Sequence, residues 1–142
     1  MFILQESPID PVKAKNMCRN PAHGAIVTFE GVVRADEHKG SVVNELLYIA
    51  DTPAVLAEGE KIIIEALSKF LITDAVCIQR IGQVKVAETA VWIGVWAGHR
   101  DEAFKGCRYI IEEIKKRLLI WKKEFYTDGS KAWIHRAPVS HE

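Results

Sequence analysis

The stretch Ile114-Lys115-Lys116-Arg117-Leu118-Leu119-Ile120-Trp121-Lys122-Lys123-Glu124-Phe125 sets five cations among large apolar side chains. Cations on an apolar surface support two kinds of chemistry. They hold an anion, or a desolvated lysine loses enough of its charge for the amine to react. A second basic pair, His99-Arg100, lies where an apolar run meets a helix-forming segment. Helix N-termini offer unsatisfied amides and a positive dipole, so a phosphate there would meet backbone and side chains together. Arg34, at the end of a core-type strand and beside the polar loop 35–41, can supply a second guanidinium for the same anion.

Each of these residues has a plainer reading. His99 can simply cap the helix while Arg100 pairs with a surface acid, and Arg34 can be a solvated strand end. Lys115 can lay its stem on the core with its amine in water. Lys122 and Lys123 can be the charges of an edge strand that resists aggregation. On position alone these alternatives stay open.

Bulk properties narrow the choice. A chain of 142 residues fits one domain, residues 1–142, with a sizeable core. Nineteen basic residues balance nineteen acidic ones, which argues against a nucleic-acid-coating role. The balance is uneven: residues 105–136 carry nine Lys/Arg against four Asp/Glu, leaving ten against fifteen elsewhere. An anionic ligand is therefore expected at the C-terminal third. Cys18, Cys77 and Cys107 are odd in number and form no CxxC pair. Reduced thiols in a cytosolic protein are the expectation, with a metal site or a nucleophilic cysteine as the alternatives. His23, His38, His99, His135 and His141 show no HxxxH or HExxH spacing, so no metal is expected. GxGxxG, P-loop and GxSxG signatures are absent. The N-terminus reads as no signal peptide, and no apolar run nears the roughly 20 residues of a membrane helix. The expectation is a soluble cytoplasmic protein with no membrane partner.

Several elements must position the basic residues. A short edge strand is expected at 2–5, then a helix at 11–19 entered through Asp10-Pro11. A strong strand at 25–34 alternates Ala25, Val27, Phe29, Gly31 and Val33 with Ile26, Thr28, Glu30, Val32 and Arg34. Gly31 inside it suggests a bulge or a close approach. A second strand at 42–50 is expected to complete a long antiparallel hairpin over 25–50. A helix capped at Thr52-Pro53 runs to about Phe70, with Val55, Leu56, Ile62, Ile63, Ala66, Leu67 and Phe70 on its core face. Strands follow at 75–81 and 90–97, the second apolar enough to be central. The helix 101–118 carries a stripe of Phe104, Cys107, Ile111, Ile114 and Leu118. Lys115 falls about 70° from the stripe's centre and Lys116 about 170°, so Lys116 should be solvated and Lys115 should flank the buried face. A final hairpin, 122–126 with 132–136, closes at Thr127-Asp128-Gly129, and a frayed tail is expected from Pro138. Several strand connections are too short for parallel crossovers. The fold class is thus α+β, a mixed, mostly antiparallel sheet with packed helices.

These stretches resemble the catalytic (large) subunit family of molybdopterin synthase. Residues 24–34, GAIVTFEGVVR, resemble the family's first core strand ending in arginine. Residues 97–104, AGHRDEAF, resemble its AHR-xx-AF turn, and residues 114–124, IKKRLLIWKKE, its KxxxPIWKxE segment. Arg80-Ile81-Gly82 matches a further landmark, and the order and spacing hold from about residue 24 to 134. The resemblance implies sulfur transfer from the thiocarboxylated C-terminal glycine of a small ubiquitin-like partner to cyclic pyranopterin monophosphate. The product is the dithiolene of molybdopterin, in molybdenum cofactor biosynthesis. No permanently bound cofactor is implied. A homodimer of large subunits within a heterotetramer is implied, as is a hammerhead-like insertion. Carried over by position, Lys115 and Lys122 are catalytic, and Val32, Val33, Arg34, His99, Arg100, Lys123 and Glu124 bind substrate. Two places depart from the family pattern: Leu119 stands where many relatives have proline, and Ile49-Ala50-Asp51 where the family reads Glu-Ala-Tyr. The alternative reading is a non-catalytic scaffold or a pterin-phosphate-binding subunit.

Overall fold

A computed structural model describes residues 1–134 of the chain. Its elements in order are β1 (Phe2–Gln5), α1 (Pro11–Lys15), β2 (Ala25–Val32), β3 (Glu37–His38), β4 (Ser41–Ala50), α2 (Thr52–Lys69), β5 (Ile72–Arg80), β6 (Gly82–Lys85), β7 (Thr89–Ala97), α3 (Arg100–Arg117), β8 (Ile120–Tyr126) and β9 (Lys131–Ile134). They form two sheets. The first has the order β1-β5-β7-β2; the second has the order β3-β4-β8-β9, with β6 also paired to β4. Among the described residues, only β1 with β5 is parallel. The α+β expectation with a mixed, mostly antiparallel sheet is therefore met. No described helix is long and apolar enough to cross a membrane.

β7 explains the first sheet. Its side chains alternate between two cores, so apolar residues are needed on both faces. Val91, Ile93, Val95 and Ala97 join Val55, Ile62, Ile63 and Ala66 of α2 and Ala103, Cys107, Ile110 and Ile114 of α3. Trp92 and Trp96 face the other way, onto Val76, Ile78 and Ala14. A third cluster (Val33, Val43, Leu46, Tyr48, Val84, Ala90, Tyr126) lies under the second sheet, and Ile120 packs against both it and the main core.

The expected 25–50 hairpin does not form. β2 pairs antiparallel with β7, Ala25 opposite Ala97 and Val32 opposite Thr89, whereas β4 pairs with β3, β6 and β8 in the second sheet. The polar loop instead makes the small β3–β4 hairpin, turning through Lys39 and Gly40 at positive φ. Gly31 does mark a bulge, since the β2–β7 register shifts between Gly31 and Val32. A Cβ there would come within 2.7 Å of Val91 Cγ1.

Other differences are local. The strand expected at 25–34 ends at Val32 and the first helix at Lys15. α2 is capped by Asp51, whose carboxylate accepts from the Ala54 amide, and not by Thr52. Leu56 and Leu67 of the expected α2 face are exposed, while Gly59 is buried. Phe104 of the expected α3 stripe is 60% exposed. The buried face of α3 is centred on Ala103, Gly106, Cys107, Ile110 and Ile114. The closing hairpin forms as expected, Lys122 opposite Ile134 and Phe125 opposite Lys131; Arg136 and the tail from Pro138 lie outside the described residues. Cys18, Cys77 and Cys107 carry no disulfide. Burial raises all three thiols, Cys107 to about 11, which keeps them protonated and does not suit a nucleophile.

Candidate functional site

α3 carries a basic group at each end. At its start His99 occupies the N-cap position in extended backbone, and its side chain makes no cap hydrogen bond. The reading of His99 as a plain side-chain cap is therefore not realised. His99 and Arg100 are both exposed, beside the first-turn amides. The turn that delivers them is tight: Gly24 N–H donates to Ala97 O at 2.9 Å, and a Cβ on Gly24 would sit 2.3 Å from Gly98 O.

At the other end, Lys115, Lys116 and Arg117 fill the last turn, where cations complement the helix dipole. Lys116 is solvated as expected, with Nζ 3.1 Å from Glu113. Lys115 is exposed rather than desolvated. Its flank also holds Phe104 and Ile111, eleven and four residues before it. The opposite flank holds α2: Tyr109 donates to Glu65 at 2.6 Å, and Arg117 pairs with Glu58 and Glu65.

β8 follows α3 directly and presents its charges alternately. Lys122 and Glu124 lie opposite Tyr48 and Leu46, whereas Lys123 lies opposite Leu47. Lys122 and Lys123 thus point to different faces of one strand. Lys122 Nζ stands 5.7 Å from the Tyr48 ring centroid, a contact of about 0.5–1 kcal/mol where exposed. Burial pushes the Tyr48 hydroxyl up to about 12, so it stays neutral beneath the amine. Lys123 stands 5.1 Å from the Trp133 ring on the other face. Glu124 accepts a very short hydrogen bond from the Tyr126 hydroxyl. Sequence reasoning did not single out Tyr48 and Tyr126 as supports of the lysine strand. Tyr126 lies on β8 itself, and the β4–β8 register that brings Tyr48 there joins segments seventy or more residues apart.

Arg34 lies just past β2, 82% exposed and 3.3 Å from Asp36. Val32 is 48% exposed, while Val33 is buried in the cluster that contains Tyr48 and Tyr126. Through that cluster Arg34 belongs to the same end of the molecule as Lys122 and the C-terminus of α3.

One chain does not bring all the expected residues together. Arg100 and Lys115 are separated by about 22 Å along α3, at about 1.5 Å per residue. Arg34 follows the end of β2 paired to Thr89, whereas His99 follows the other end of β7, about 26 Å away at about 3.3 Å per residue. Arg34 therefore cannot share an anion with His99 and Arg100 of its own chain. Among the described residues no group of three or more His, Cys, Asp or Glu side chains could hold a metal ion.

The family model described as "MoaE protein" matches residues 4–117. The chain belongs to the MoaE family. A relative from Thermoplasma volcanium named molybdopterin synthase catalytic subunit is 42% identical over 92% of this chain and 94% of its own length. The crystal structure of molybdopterin synthase from Staphylococcus aureus superposes with a TM-score of 0.88 at 32% identity, covering 95% of this chain and 97% of that one. A complex of subunits 1 and 2 of the molybdopterin-converting factor from Helicobacter pylori shares the fold, with a TM-score of 0.73 at 18% identity over 99% of this chain and 92% of that one. Membership of the MoaE family bears out the resemblance read from the three motifs, and with it the enzyme class.

Proposed function

We propose that this chain is a sulfur-transferring catalytic subunit that works on cyclic pyranopterin monophosphate. The sulfur comes from the thiocarboxylated C-terminal glycine of a small ubiquitin-like subunit, and two transfers complete the dithiolene of molybdopterin. Both reactants are anions. A site that joins them needs cations on two sides, because like charges repel at contact distance. Lys115 meets the thiocarboxylate, and Lys122, held over Tyr48, is the second catalytic cation. Arg34, with His99 of the partner subunit and Arg100 of the partner subunit, holds the cyclic phosphate. Val32 and Glu124 lie beside it, Lys123 flanks from the other face of β8 and Val33 supports the site from below.

The observation that carries this reading is the division of the basic residues between the two ends of α3, combined with an unpartnered strand edge. β2 ends the first sheet, with no strand beyond it among the described residues. It exposes Phe29 and Val32, and the Phe104–Lys115 flank of α3 lies on the side away from α2. Two copies related by a twofold axis would pair β2 with β2 antiparallel. That operation brings His99 of the partner subunit and Arg100 of the partner subunit beside Arg34 and Lys115, forming two complete sites per dimer. The open β2 edge thus favours the dimer that the family resemblance implies. The Helicobacter pylori neighbour, a complex of two different subunits, is in keeping with a second kind of subunit as the partner.

The test mixes the purified protein with the thiocarboxylated small subunit and cyclic pyranopterin monophosphate. Mass spectrometry follows the partner's C-terminus while fluorescence follows oxidised molybdopterin. Loss of the partner's sulfur with matching dithiolene formation is the expected result. A stable complex that never turns over would overturn the proposal in favour of a scaffold.

A further inference from the structure

We infer that Arg117 is a positioning residue for sulfur transfer, fixing the last turn of α3 against α2 so that Lys115 and Lys122 keep their relative placement. This rests on the roles given above to those two lysines. The end of a helix leaves its carbonyls unsatisfied and tends to fray. α3 ends without a glycine turn. Leu118 caps it in extended backbone, φ −80 and ψ 134, and β8 begins two residues later at Ile120. Backbone bonds tie the link at Leu118 and Leu119 and pair β8 with β4. What remains to be fixed is the last turn of α3 against α2, and that falls to side chains.

Arg117 supplies the polar part of that hold. Its Nε donates to Glu58 at 2.7 Å, Nη1 to Glu65 at 2.7 Å and to Glu113 at 3.1 Å, and Nη2 to the second oxygen of Glu65 at 2.9 Å. The planar guanidinium spans both oxygens of Glu65 as no ammonium can. Glu58 and Glu65 lie two turns apart on one face of α2. The cluster of Glu58, Glu65 and Glu113 around Arg117 is balanced locally, since Lys61 lies 3.8 Å from Glu58 and Lys116 3.1 Å from Glu113. Beside the clamp, Asp51 N–H donates to Leu119 O at 3.2 Å, tying the α3–β8 link to the start of α2.

Arg117 acts through the backbone. Lying two residues after Lys115, it projects about 160° away around the helix, toward α2 and away from the flank that carries Lys115. The two helices are already packed through Val55, Ile62, Ile63, Ala66, Ile110 and Ile114. Removing Arg117 should therefore loosen the last turn rather than unfold the protein. A displacement of about 1 Å at a reacting group can cost on the order of a hundredfold in rate.

A double-mutant cycle on the full protein with its small subunit tests this. Arg117→Met is expected to lower kcat about 10- to 100-fold while KM changes less than about twofold. Arg117→Lys, which keeps one charge, should recover part of the loss. In a Lys115→Ala background Arg117→Met should cost nothing more, because it acts through Lys115. If Arg117→Met proves too unstable to assay, Glu65→Gln makes the same comparison. An unchanged kcat, or an equal loss with and without Lys115, would overturn the inference while leaving the reaction intact. Absence of turnover in the unsubstituted protein would overturn the functional reading and this inference with it.

Discussion

Lys115 and Lys122 come from different elements, one exposed on the last turn of α3 and one stacked over a buried, neutral tyrosine. Lys115→Ala should slow sulfur transfer by more than about a hundredfold, to a residual rate that single-turnover assays still read, while a binding titration shows that the small subunit still binds. Tyr48→Phe keeps the ring beneath Lys122 and should leave turnover near normal, whereas Tyr48→Leu should reduce it, read in the same assay. The identity of the basic residues was legible in the sequence because three short motifs carry them in order. Their surroundings were not. The periodicity of α3 was read from its large apolar residues, which placed Phe104 in the core. Gly106 sets the actual face, since a Cβ there would lie 3.2 Å from Ile72 and 3.3 Å from Val95. Small residues that let a helix approach a sheet leave no mark on a count of large ones.

At the scale of elements, strand and helix positions were largely legible, and their pairing was not. Residues 25–50 look like a hairpin because consecutive strands usually neighbour each other. The continuous apolar face of β7 wins β2 instead, and β4 is left to build a second sheet with β8. The turn into α3 is set by close backbone contact, so Gly24→Ala should push Gly98 and His99 aside. It should destabilise the protein by about 1–3 kcal/mol in denaturant unfolding and weaken substrate binding. The α2–α3 clamp has a pH signature. Hydrogen bonds from Arg117 and Tyr109 hold the Glu65 carboxyl down from its usual 4.5 to about 2. A depressed carboxyl contributes stability that is fully present above its unfolded value and lost as pH falls toward its folded one. Thermal melts should therefore show a drop between pH 4.5 and 2 that is smaller in Glu65→Gln. The drop should be modest, because the pair is partly solvated.

For the whole molecule the decisive feature is that one chain separates what the chemistry must unite. Arg34, Lys115 and Lys122 gather at one end, and His99 and Arg100 start the helix at the other. No motif reveals this, because linear order does not say which end of a helix a partner chain will meet. The measurement that tests it most directly mixes two inactive forms, Lys115→Ala and Arg100→Ala, dissociated and reassembled together with the thiocarboxylated small subunit. If the site is built from two copies, half of the dimers are mixed and each has one intact site, so dithiolene formation should return to about a quarter of the unsubstituted rate. No recovery, with mixed dimers verified by mass, would contradict a site shared between two chains.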